Sequence, residues 1–471
     1  MSRAVSHRIV RSYIEAKGLP TKRLLELALR EGNSKLPVYR MHKWWARRLG
    51  SVVRAILLGL VLPKDKTEEV YWNTYSGVYE CLEIKNKAGC TVLDPFMGGG
   101  SSLVESRKLG LKCVGFDIDP MAWFITRQEL SLVDPDVLYE AFEQVRQNAQ
   151  AKVARFYKTR AGSGTEHEVI YYFWVRTVTC PHCRETIELH PHYQLRRDRN
   201  NRIQTCFCAR CHEIRELPGD ESEFVCVSCG TLTRIQKGNI DRRKVYCIHC
   251  GSVWPRSRLR ETEGFMGSEL VALQYLDHTS QGKLVKQLKR ADEFDRELFN
   301  IAELELSSAV EAFSAIQSFL NTPIPSEGRE DPRPINYGFH RYAELFNARQ
   351  LLCLSTILRE ILKIEESAVQ ELLLMAFSDS LASNNMMCYY AFDYDKLTPL
   401  FGLHGYNMVT RPVENNVWGT SLGRGTFRNC FAKTLKGLRH MRNSDSSIIS
   451  GHRRTCLQPP SPSNRASYLF L

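Results

Sequence analysis

The stretch that decides the fold is Thr91-Val-Leu-Asp-Pro-Phe-Met-Gly-Gly-Gly-Ser-Ser102. The apolar run from Cys90 to Leu93 predicts a buried strand, which ends at Asp94 and at a proline that cannot continue a hydrogen-bonded ladder. The three glycines that follow permit positive φ angles and leave room for a ligand beside the backbone. The stretch therefore predicts a strand that opens into a ligand-binding loop.

A helix is expected after the glycines, from Leu103 to Leu109, with one of the two preceding serines as its cap. The next apolar segment, residues 112–116, predicts a second strand that leads into Asp117 and Asp119. Strand, glycine loop, helix, strand and acid in this order predict the first unit of a nucleotide-type α/β sheet.

The glycine loop differs from the common phosphate-binding motifs. It has neither the G-x-G-x-x-G of dinucleotide enzymes nor the G-K-[ST] of a P-loop. An acid before the glycines would repel a phosphate, whereas it suits a cationic amino-acid end. The segment Asp94-Pro-Phe-Met-Gly-Gly-Gly100 resembles the D-P-F-x-G-x-G motif of amino-group DNA methyltransferases, which bind S-adenosylmethionine (SAM). A strand–turn–helix without any ligand is the alternative.

This resemblance implies a Rossmann-like SAM-dependent methyltransferase sheet. It implies that Asp94 and the loop hold the methionine part of SAM, and that an acid at the end of the second strand holds the ribose hydroxyls. Asp117, about 20 residues downstream, has the spacing expected of that acid. The cofactor-binding residues implied in this way are Asp94, Pro95, Phe96, Gly98, Gly100, Asp117 and Asp119.

Composition limits the class of protein. The chain has 471 residues, 43% of them hydrophobic and 25% charged, which is typical of a soluble globular protein of two to four domains. A net charge of +12 favours a polyanionic partner such as DNA. The first residues lack the apolar core of a secretory signal, and the longest apolar run, residues 55–62, is far shorter than the ~20 residues that span a bilayer. We therefore expect a cytoplasmic protein without a membrane partner.

Residues 1–88 are expected to form a helical region. Within it, two adjacent tryptophans lie among basic residues, a combination that suits stacking on bases and contact with phosphates. The residues predicted to contact nucleic acid here are Trp44, Trp45, Arg47 and Arg48. The alternative is a helix whose tryptophans pack in the core and whose arginines form salt bridges. The string K-W-W-A-R-R also resembles a family of large bacterial and archaeal DNA methylases, which begin with a domain of unknown function carrying H-x-W-W-A-R-R-P; Leu49 replaces that proline.

The 16 cysteines of an intracellular chain favour metal binding over disulfides. Four C-x-x-C pairs are candidate zinc ligands: Cys180, Cys183, Cys208, Cys211, Cys226, Cys229, Cys247 and Cys250. The last two pairs have zinc-ribbon spacing, C-x2-C-x17-C-x2-C, and are expected to share one ion. The first two pairs are expected to share another, with Cys206 able to replace Cys208; an arrangement in which pairs one and three share a metal stays open.

Four thiolates leave no coordination position for water, so the two predicted zinc ions are structural. Basic and aromatic residues surround the cysteines, among them Arg196 and Arg197, which we expect to contact DNA. Solvated loops on a purely structural insert are the alternative. Residues 171–262 are therefore predicted to form a zinc-ribbon insert with a possible role in target recognition.

The remaining domain boundaries follow from these motifs. Residues 89–170 are predicted to be the SAM-binding α/β portion, and residues 263–440 a helical region that completes the methylase core. Helical periodicity is expected from Lys283 to Arg296 and again further along the region. Residues 441–471 are expected to be an aberrant or disordered tail, with strand character only from Tyr468 to Leu471.

The catalytic loop expected from the resemblance is missing from the sequence. Amino methylation uses a [DNS]-P-P-[YFW] loop whose aromatic residue stacks on a flipped base. This chain has one Pro-Pro dipeptide, in Gln458-Pro-Pro-Ser461, and no Pro-Cys dipeptide for cytosine C5 methylation. The catalytic residues thus stay unassigned, and we expect a shortened or frameshifted product with impaired or absent methyl transfer.

The sequence as a whole favours a SAM-dependent DNA methyltransferase that acts on an exocyclic amino group, adenine N6 before cytosine N4. A setting in restriction–modification or phage defence is expected for such a protein. A zinc-ribbon protein that binds DNA or another partner without catalysis is the alternative from a different class. An RNA methyltransferase, which uses the same fold, is a third option.

Overall fold

The computed structural model describes residues 12–77, 90–162, 164–260, 267–311, 314–327, 332–402, 406, 409–446 and 455–457. The chain divides into two compact units. Unit 1 consists of Met1–Phe142, Ile364–Ser378 and Cys430–Leu471, and unit 2 of Glu143–Lys363 and Asp379–Asn429. Among the described residues, no helix combines the length and the apolar character needed to cross a membrane.

Helices occur in both units. In chain order they are α1 (Tyr13–Lys17), α2 (Thr21–Asn33), α3 (Gly50–Val61), α4 (Glu68–Tyr75), α5 (Ser101–Lys108), α6 (Pro120–Glu129), α7 (Pro135–Ala154), α8 (Glu293–Glu311), α9 (Ser314–Asn321), α10 (Arg333–Asn336), α11 (Ala348–Ile361), α12 (Ser367–Leu381) and α13 (Phe427–Ser446). Short 3-10 helices span Val38–Arg40, Arg256–Arg260, Tyr342–Leu345 and Phe392–Tyr394.

Most strands belong to unit 2. In chain order the strands are β1 (Thr91–Asp94), β2 (Lys112–Gly115), β3 (Lys158–Ala161), β4 (Thr165–Thr179), β5 (Thr186–Glu188), β6 (Gln194–Arg197), β7 (Ile203–Phe207), β8 (Ile214–Pro218), β9 (Glu223–Val225), β10 (Leu232–Arg234), β11 (Lys244–Tyr246), β12 (Val253–Pro255), β13 (Gly267–His278), β14 (Leu284–Arg290), β15 (Tyr389–Ala391), β16 (Lys396–Thr398), β17 (Val413–Asn415) and β18 (Thr455–Leu457).

Unit 1 contains a small parallel sheet in the order β1-β2-β18. The register pairs Thr91 with Lys112 and Asp94 with Gly115, so the two strands predicted around the glycine loop are confirmed. The predicted burial of β1 is wrong, because its residues alternate between exposed and partly buried. Helix α5 begins at Ser101 with Gly100 as its N-cap residue, so the expectation that a serine caps this helix is wrong. The protein is thus a mixed α/β structure, and the Rossmann-like sheet stays a prediction.

Helices precede this sheet, as the sequence predicts for residues 12–77. The apolar faces of α1, α3 and α4 pack around Leu58 and Tyr71, and Leu109 and Leu111 join the same core. The expected helical region is interrupted at Gly18, where a φ of 74° ends α1; residues 1–11 lie outside the described part.

Unit 2 is built on a six-stranded antiparallel sheet. Its path is β14-β13-β4-β17, and β3 and β5 also pair with β4. The central strand β4 is buried from Val169 to Val178, so part of the segment assigned to the zinc insert belongs to this core. Three smaller antiparallel sheets, β6-β7-β8, β9-β10 and β11-β12, carry the second, third and fourth cysteine pairs, and the first pair lies between β4 and β5 of the large sheet.

The helix expected from Lys283 to Arg296 is wrong in its first half. Residues 284–290 form β14, which pairs with β13 from His278↔Leu284 to Ala272↔Arg290. A turn with Gly282 at a φ of 75° connects the two strands. Charges at helical spacing suggested a helix, but pairing with a neighbouring strand outweighs that local preference. Helix α8 then begins at Glu293.

A buried ion pair holds helix α11 to strand β17 within unit 2. Arg349 Nε and Nη2 donate to the two carboxylate oxygens of Glu414 at 2.7 and 2.8 Å, and neither side chain is exposed. Asn347 Nδ2 and Trp174 Nε1 also donate to Glu414 Oε2, at 2.8 and 2.9 Å. Because these donors satisfy the carboxylate, this ion pair belongs to the core.

Candidate functional site

Two acidic residues, Asp94 and Asp117, lie at the same edge of the parallel sheet in unit 1. The backbone hydrogen bonds of β1 and β2 continue one step past the strands, because Phe116 N donates to Asp94 O at 2.9 Å and Met97 N donates to Phe116 O at 3.0 Å. The loops that follow the two strands are therefore neighbours, as expected at the carboxyl ends of parallel strands.

The carboxylate of Asp94 shapes the loop that follows it. Its Oδ1 accepts the backbone N–H of Phe96 at 3.1 Å, and its Oδ2 accepts the hydroxyl of Ser102. A side chain that binds the backbone two residues ahead forms an Asx turn. Asp94 thus connects the start of the glycine loop to the first turn of α5.

Asp117 connects the two loops. Its Oδ2 accepts the N–H of Gly98 at 2.8 Å, and its Oδ1 accepts the N–H of Asp119 at 2.9 Å. Asp119 in turn caps α6 by accepting the N–H of Met121 at 2.8 Å. Of the predicted cofactor residues, Asp94, Gly98 and Asp117 therefore lie together, while Asp119 has the contacts of a helix cap.

Apolar side chains beside these acids are exposed. Phe96 is 86% exposed and Ile118, directly after Asp117, is 100% exposed. Leu93, at the end of β1, is 62% exposed. An acidic pair flanked by exposed apolar side chains can contact a ligand that has both a polar and a planar apolar part.

The glycines of the loop are required by packing inside unit 1. A Cβ on Gly99 would lie 2.9 Å from both Trp44 Cγ and Arg47 Cζ. A Cβ on Gly100 would lie 2.5 Å from Thr126 Oγ1, and Gly100 also has a φ of 75°. Contacts within the protein therefore account for these glycines without any ligand.

Arg47 and Glu129 form a buried ion pair beneath the loop. The guanidinium donates two bonds to the carboxylate, at 2.9 and 2.6 Å, and a third to the backbone oxygen of Gly99. The side chains are 2% and 0% exposed. Burial raises the pKa of Glu129 to about 7, and the charge of Arg47 opposes that rise. Sequence reasoning missed both Glu129 and the link between the tryptophan string and the glycine loop.

The other residues of the string are more accessible. Trp45 is 44% exposed with the Lys43 ammonium 4.2 Å from a ring centroid, and Arg48 is exposed. The contacts of Arg47 are those of the salt-bridge alternative, since its guanidinium is occupied within the protein. Contact of Trp44, Trp45, Arg47 and Arg48 with nucleic acid stays a prediction.

In unit 2 the eight cysteines form two groups of four that could hold a metal. One group is Cys180, Cys183, Cys247 and Cys250, and the other is Cys208, Cys211, Cys226 and Cys229. Neighbouring Sγ atoms lie 3.7 and 3.9 Å apart in the first group and 3.5 and 3.6 Å apart in the second. Zinc–sulfur bonds of about 2.3 Å in a tetrahedron place sulfurs ~3.8 Å apart, so both groups fit zinc.

The pairing of the cysteine pairs differs from the expectation. The first pair joins the fourth and the second joins the third, so the expected ribbon from Cys226 to Cys250 is wrong. The alternative in which pairs one and three share a metal is also wrong. The arrangement is nested in the sequence, because the second and third pairs, with the small sheets β6-β7-β8 and β9-β10, lie between the first and the fourth pair. Cys206 is buried and belongs to neither group.

All four C-x-x-C turns, here called knuckles, have the same backbone. In each, the backbone oxygen of the first cysteine accepts the backbone N–H of the residue after the second cysteine, at 2.8 to 3.1 Å. That residue has a positive φ in every case: 66° at Arg184, 60° at His212 and 70° at both Gly230 and Gly251. Contacts with the hydroxyl and the amide of Thr231 lower the pKa of the Cys229 thiol to about 6, which favours the metal-binding thiolate.

A third polar group lies near the second set of cysteines. Glu188 Oε2 contacts Nε2 of His190 at 2.7 Å and Nε2 of His212 at 2.8 Å. These are hydrogen-bond distances, shorter than the ~3.3 Å between nitrogen and oxygen ligands of a tetrahedral zinc ion. The group therefore joins His212, beside Cys211, to strand β5 by hydrogen bonds.

The two arginines predicted to contact DNA lie on β6. Arg196 Nη2 pairs with Glu216 at 3.0 Å, and Arg197 Nη2 donates to the backbone oxygen of Gly219 at 3.4 Å. Both side chains are partly buried. Their contact with DNA stays a prediction.

Comparisons with known proteins match parts of this chain. Residues 18–76 match a family described as protein of unknown function (DUF1156). The type II methyltransferase M.MjaII of Methanocaldococcus jannaschii is 28% identical over 104 residues, which are 20% of this chain and 20% of that protein. No solved structure gives a significant match. The chain is therefore distantly similar to a methyltransferase along about a fifth of its length.

Proposed function

We propose that this chain carries the scaffold of a SAM-dependent DNA methyltransferase that acts on exocyclic amino groups, adenine N6 before cytosine N4. The observation that supports it most is that Asp94 and Asp117, which follow two adjacent parallel strands, each accept a backbone N–H of the same glycine loop. The distant similarity to a type II methyltransferase supports the same class.

In this proposal the two acids divide the polar ends of SAM between them. Each oxygen of Asp94 accepts one internal hydrogen bond and keeps a further lone pair, which can receive an N–H of the cationic methionine end. Asp117 has the same remaining capacity toward ribose hydroxyls.

The exposed side chains beside the acids provide an apolar surface for the adenine ring. Phe96 and Ile118 follow the two strands and contribute most of that surface. Pro95 and Gly100 shape the loop in this proposal, and Asp119 orients α6 beside it. Bound SAM would supply an electrophilic methyl group. We assign no catalytic residue, because the sequence contains no [DNS]-P-P-[YFW] string.

The two groups of four cysteines would hold structural zinc ions. A complete set of four thiolates leaves no open position for water or substrate. The metals would therefore keep the small sheets of unit 2 folded, and methyl transfer would not involve them.

SAM binding measured by titration calorimetry tests the proposal without requiring methyl transfer. Asp94→Asn keeps the hydrogen-bond acceptor of the Asx turn but removes the charge. A charge-assisted hydrogen bond contributes about 1.5–3 kcal/mol, so we expect SAM affinity to fall about 10- to 100-fold. Asp65→Asn, an exposed acid elsewhere in unit 1, is the matched control. Equal affinity of the wild type and Asp94→Asn would contradict the assigned site.

The alternative function is a zinc-containing nucleic-acid-binding protein without catalysis. The observation that favours it is a set of exposed basic residues around the knuckles: Arg199, Arg202, Arg210, Arg242 and Arg243. Binding of DNA by a protein that binds no SAM would support this alternative. Preference for RNA over DNA by a SAM-binding protein would support the RNA methyltransferase.

A further inference from the structure

Unit 2 contains a pocket whose lining includes none of the eight cysteines. It has a volume of about 270 Å³ and lies where the loop before β6 meets β15 and the segment that leads into β17. This volume is near the lower end of the ~300–1,000 Å³ typical of small-molecule sites. Its lining residues include His192, Arg256, Tyr389, Phe392 and Arg411.

The pocket is positively charged and contains no acid among its lining residues. Arg411 donates to the backbone oxygens of His192 and Gln194 at 2.8 and 3.1 Å, and Arg256 donates to the backbone oxygen of Asp241 at 3.4 Å. Among the described residues neither guanidinium forms an ion pair, and Arg256 Nε is buried without a hydrogen-bond partner. Two cations without a counter-charge favour an anionic ligand.

His192 contributes no further positive charge. Burial and the neighbouring Arg411 lower the pKa of His192 to about 3, so its ring is neutral at physiological pH. Its Nδ1 lies 3.1 Å from Arg411 Nη1, where a neutral ring nitrogen can accept the N–H. The anion would therefore be held by the two guanidinium groups.

Aromatic side chains form another part of the wall. The ring of Phe392 packs edge-to-face on His192 at 5.2 Å, and Tyr389 is partly exposed beside it. Trp174 donates its indole N–H to Glu414, and Tyr390 donates its hydroxyl to Asp395. Because these polar atoms are already hydrogen-bonded, the two side chains contribute apolar ring surface. Aromatic side chains of this kind stack on planar rings.

From this combination we propose that the pocket binds a nucleotide, with its phosphate on Arg256 and Arg411 and its base against Phe392 and Tyr389. The choice of a nucleotide over other aromatic anions rests on the proposed function, because a methyltransferase acting on nucleic acid must hold the strand. The ligand is either a free mononucleotide or one nucleotide of a single-stranded segment.

The test uses the zinc-loaded full-length chain and two variants at the wall of the pocket. Calorimetry with dAMP, deoxyadenosine and inorganic phosphate separates the two halves of the ligand. Arg256→Gln should weaken dAMP about tenfold and leave deoxyadenosine unchanged, since only the former has a phosphate. Phe392→Leu should weaken both by a similar factor because stacking is lost. Arg258→Gln, an exposed neighbour in the same 3-10 helix, is the matched control and should bind dAMP as the wild type does.

Fluorescence anisotropy with a short labelled single strand identifies the source of the nucleotide. Loss of strand binding in Arg256→Gln and Phe392→Leu, with little affinity for free dAMP, would show that the pocket serves a strand. Binding of dAMP without an effect on the strand would show that it serves a free nucleotide. Unchanged binding of both in both variants, or inorganic phosphate matching dAMP, would overturn the proposal.

Parallel SAM titrations keep the two proposals separate. If the wild type binds no SAM but the pocket variants lose nucleotide binding, the pocket stands and the methyltransferase proposal fails. If SAM binds and depends on Asp94 while the pocket variants bind dAMP and the strand normally, only the pocket proposal fails.

Discussion

The glycine loop of unit 1 and the knuckles of unit 2 are both tight turns with positive φ angles, but different contacts hold them. Each knuckle is closed by hydrogen bonds between residues four and five positions apart, such as Arg184 N to Cys180 O and Cys180 N to Glu185 O. The glycine loop is packed against Trp44, Arg47 and Thr126, which are distant in the chain.

This difference explains why glycine is needed in one region and dispensable in the other. A Cβ on Gly230 or Gly251 would meet nothing within 4 Å, and Arg184 and His212 occupy the same position in the other two knuckles. A Cβ on Gly99 would overlap two side chains. The knuckle needs only a backbone angle, whereas the loop needs empty space.

The largest expected effect concerns the metal content of the knuckles. Structural zinc contributes on the order of 10 kcal/mol to the folding of small modules. Cys180→Ser with Cys247→Ser removes two ligands from one group, so the protein should keep about one zinc per chain. Cys180→Ser with Cys208→Ser removes one ligand from each group and should impair both sites. Metal analysis would contradict the nested pairing if the first double variant lost both zinc ions and the second kept about one per chain.

The ion pair beneath the glycine loop should have the next largest effect. Arg47→Met leaves the buried Glu129 without its partner, and we expect unit 1 to lose about 3–5 kcal/mol of unfolding free energy at neutral pH. The exposed neighbour Arg48→Met is the control and should change stability by less than about 0.5 kcal/mol. Denaturant unfolding of the two variants measures the difference, and equal stability would contradict the role assigned to Arg47.

The loss in Arg47→Met should also depend on pH. Burial raises the pKa of Glu129 from 4.5 to about 7, and removal of Arg47 raises it further because that charge opposes the rise. When the pKa of a group is raised by folding, stability is greatest at a pH below its pKa in the unfolded chain. That stability is lost as the pH rises through its pKa in the folded protein. Glu129 is protonated in both folded proteins at acidic pH, so the deficit relative to wild type should be smallest there and should grow as pH rises through about 7, where the carboxyl ionises in the folded wild type alone. A deficit that shrinks with rising pH would contradict this.

A smaller effect is expected for the space beside the glycine loop. Gly99→Ala places a Cβ 2.9 Å from Trp44 and Arg47, and overpacking of this kind costs about 1–3 kcal/mol. Gly32→Ala in α2 meets nothing within 4 Å and should instead stabilise the helix by up to about 1 kcal/mol. Opposite signs in thermal unfolding would confirm that packing, rather than glycine content, sets the requirement.

The smallest effect is expected in the knuckles. Gly230→Ala introduces a side chain at a φ of 70° without any clash, which costs about 1–2 kcal/mol, and zinc content should not change. Loss of one zinc ion per chain in this variant would show that the turn needs glycine for more than its backbone angle.

The sequence by itself predicted what nearby residues decide. It predicted β1 and β2 around the glycine loop, the helices that precede them and the C-x-x-C cysteines as candidates for metal binding, because hydrophobic runs, glycines and C-x-x-C spacing act over a few residues. It failed for residues 284–290, where pairing with β13 decided the structure, and for the cap of α5, where Gly100 takes the position expected of a serine.

Tertiary structure decided which of these local features meet. Cys183 to Cys247 and Arg47 to Glu129 are contacts between distant parts of the chain, and no local pattern specifies the partner of a thiol or of a buried arginine. The same holds for Arg256 and Arg411, which are separated by more than a hundred residues in the sequence yet line one pocket. Local geometry depends on each residue's own backbone preferences, whereas long-range pairing depends on how the whole chain packs.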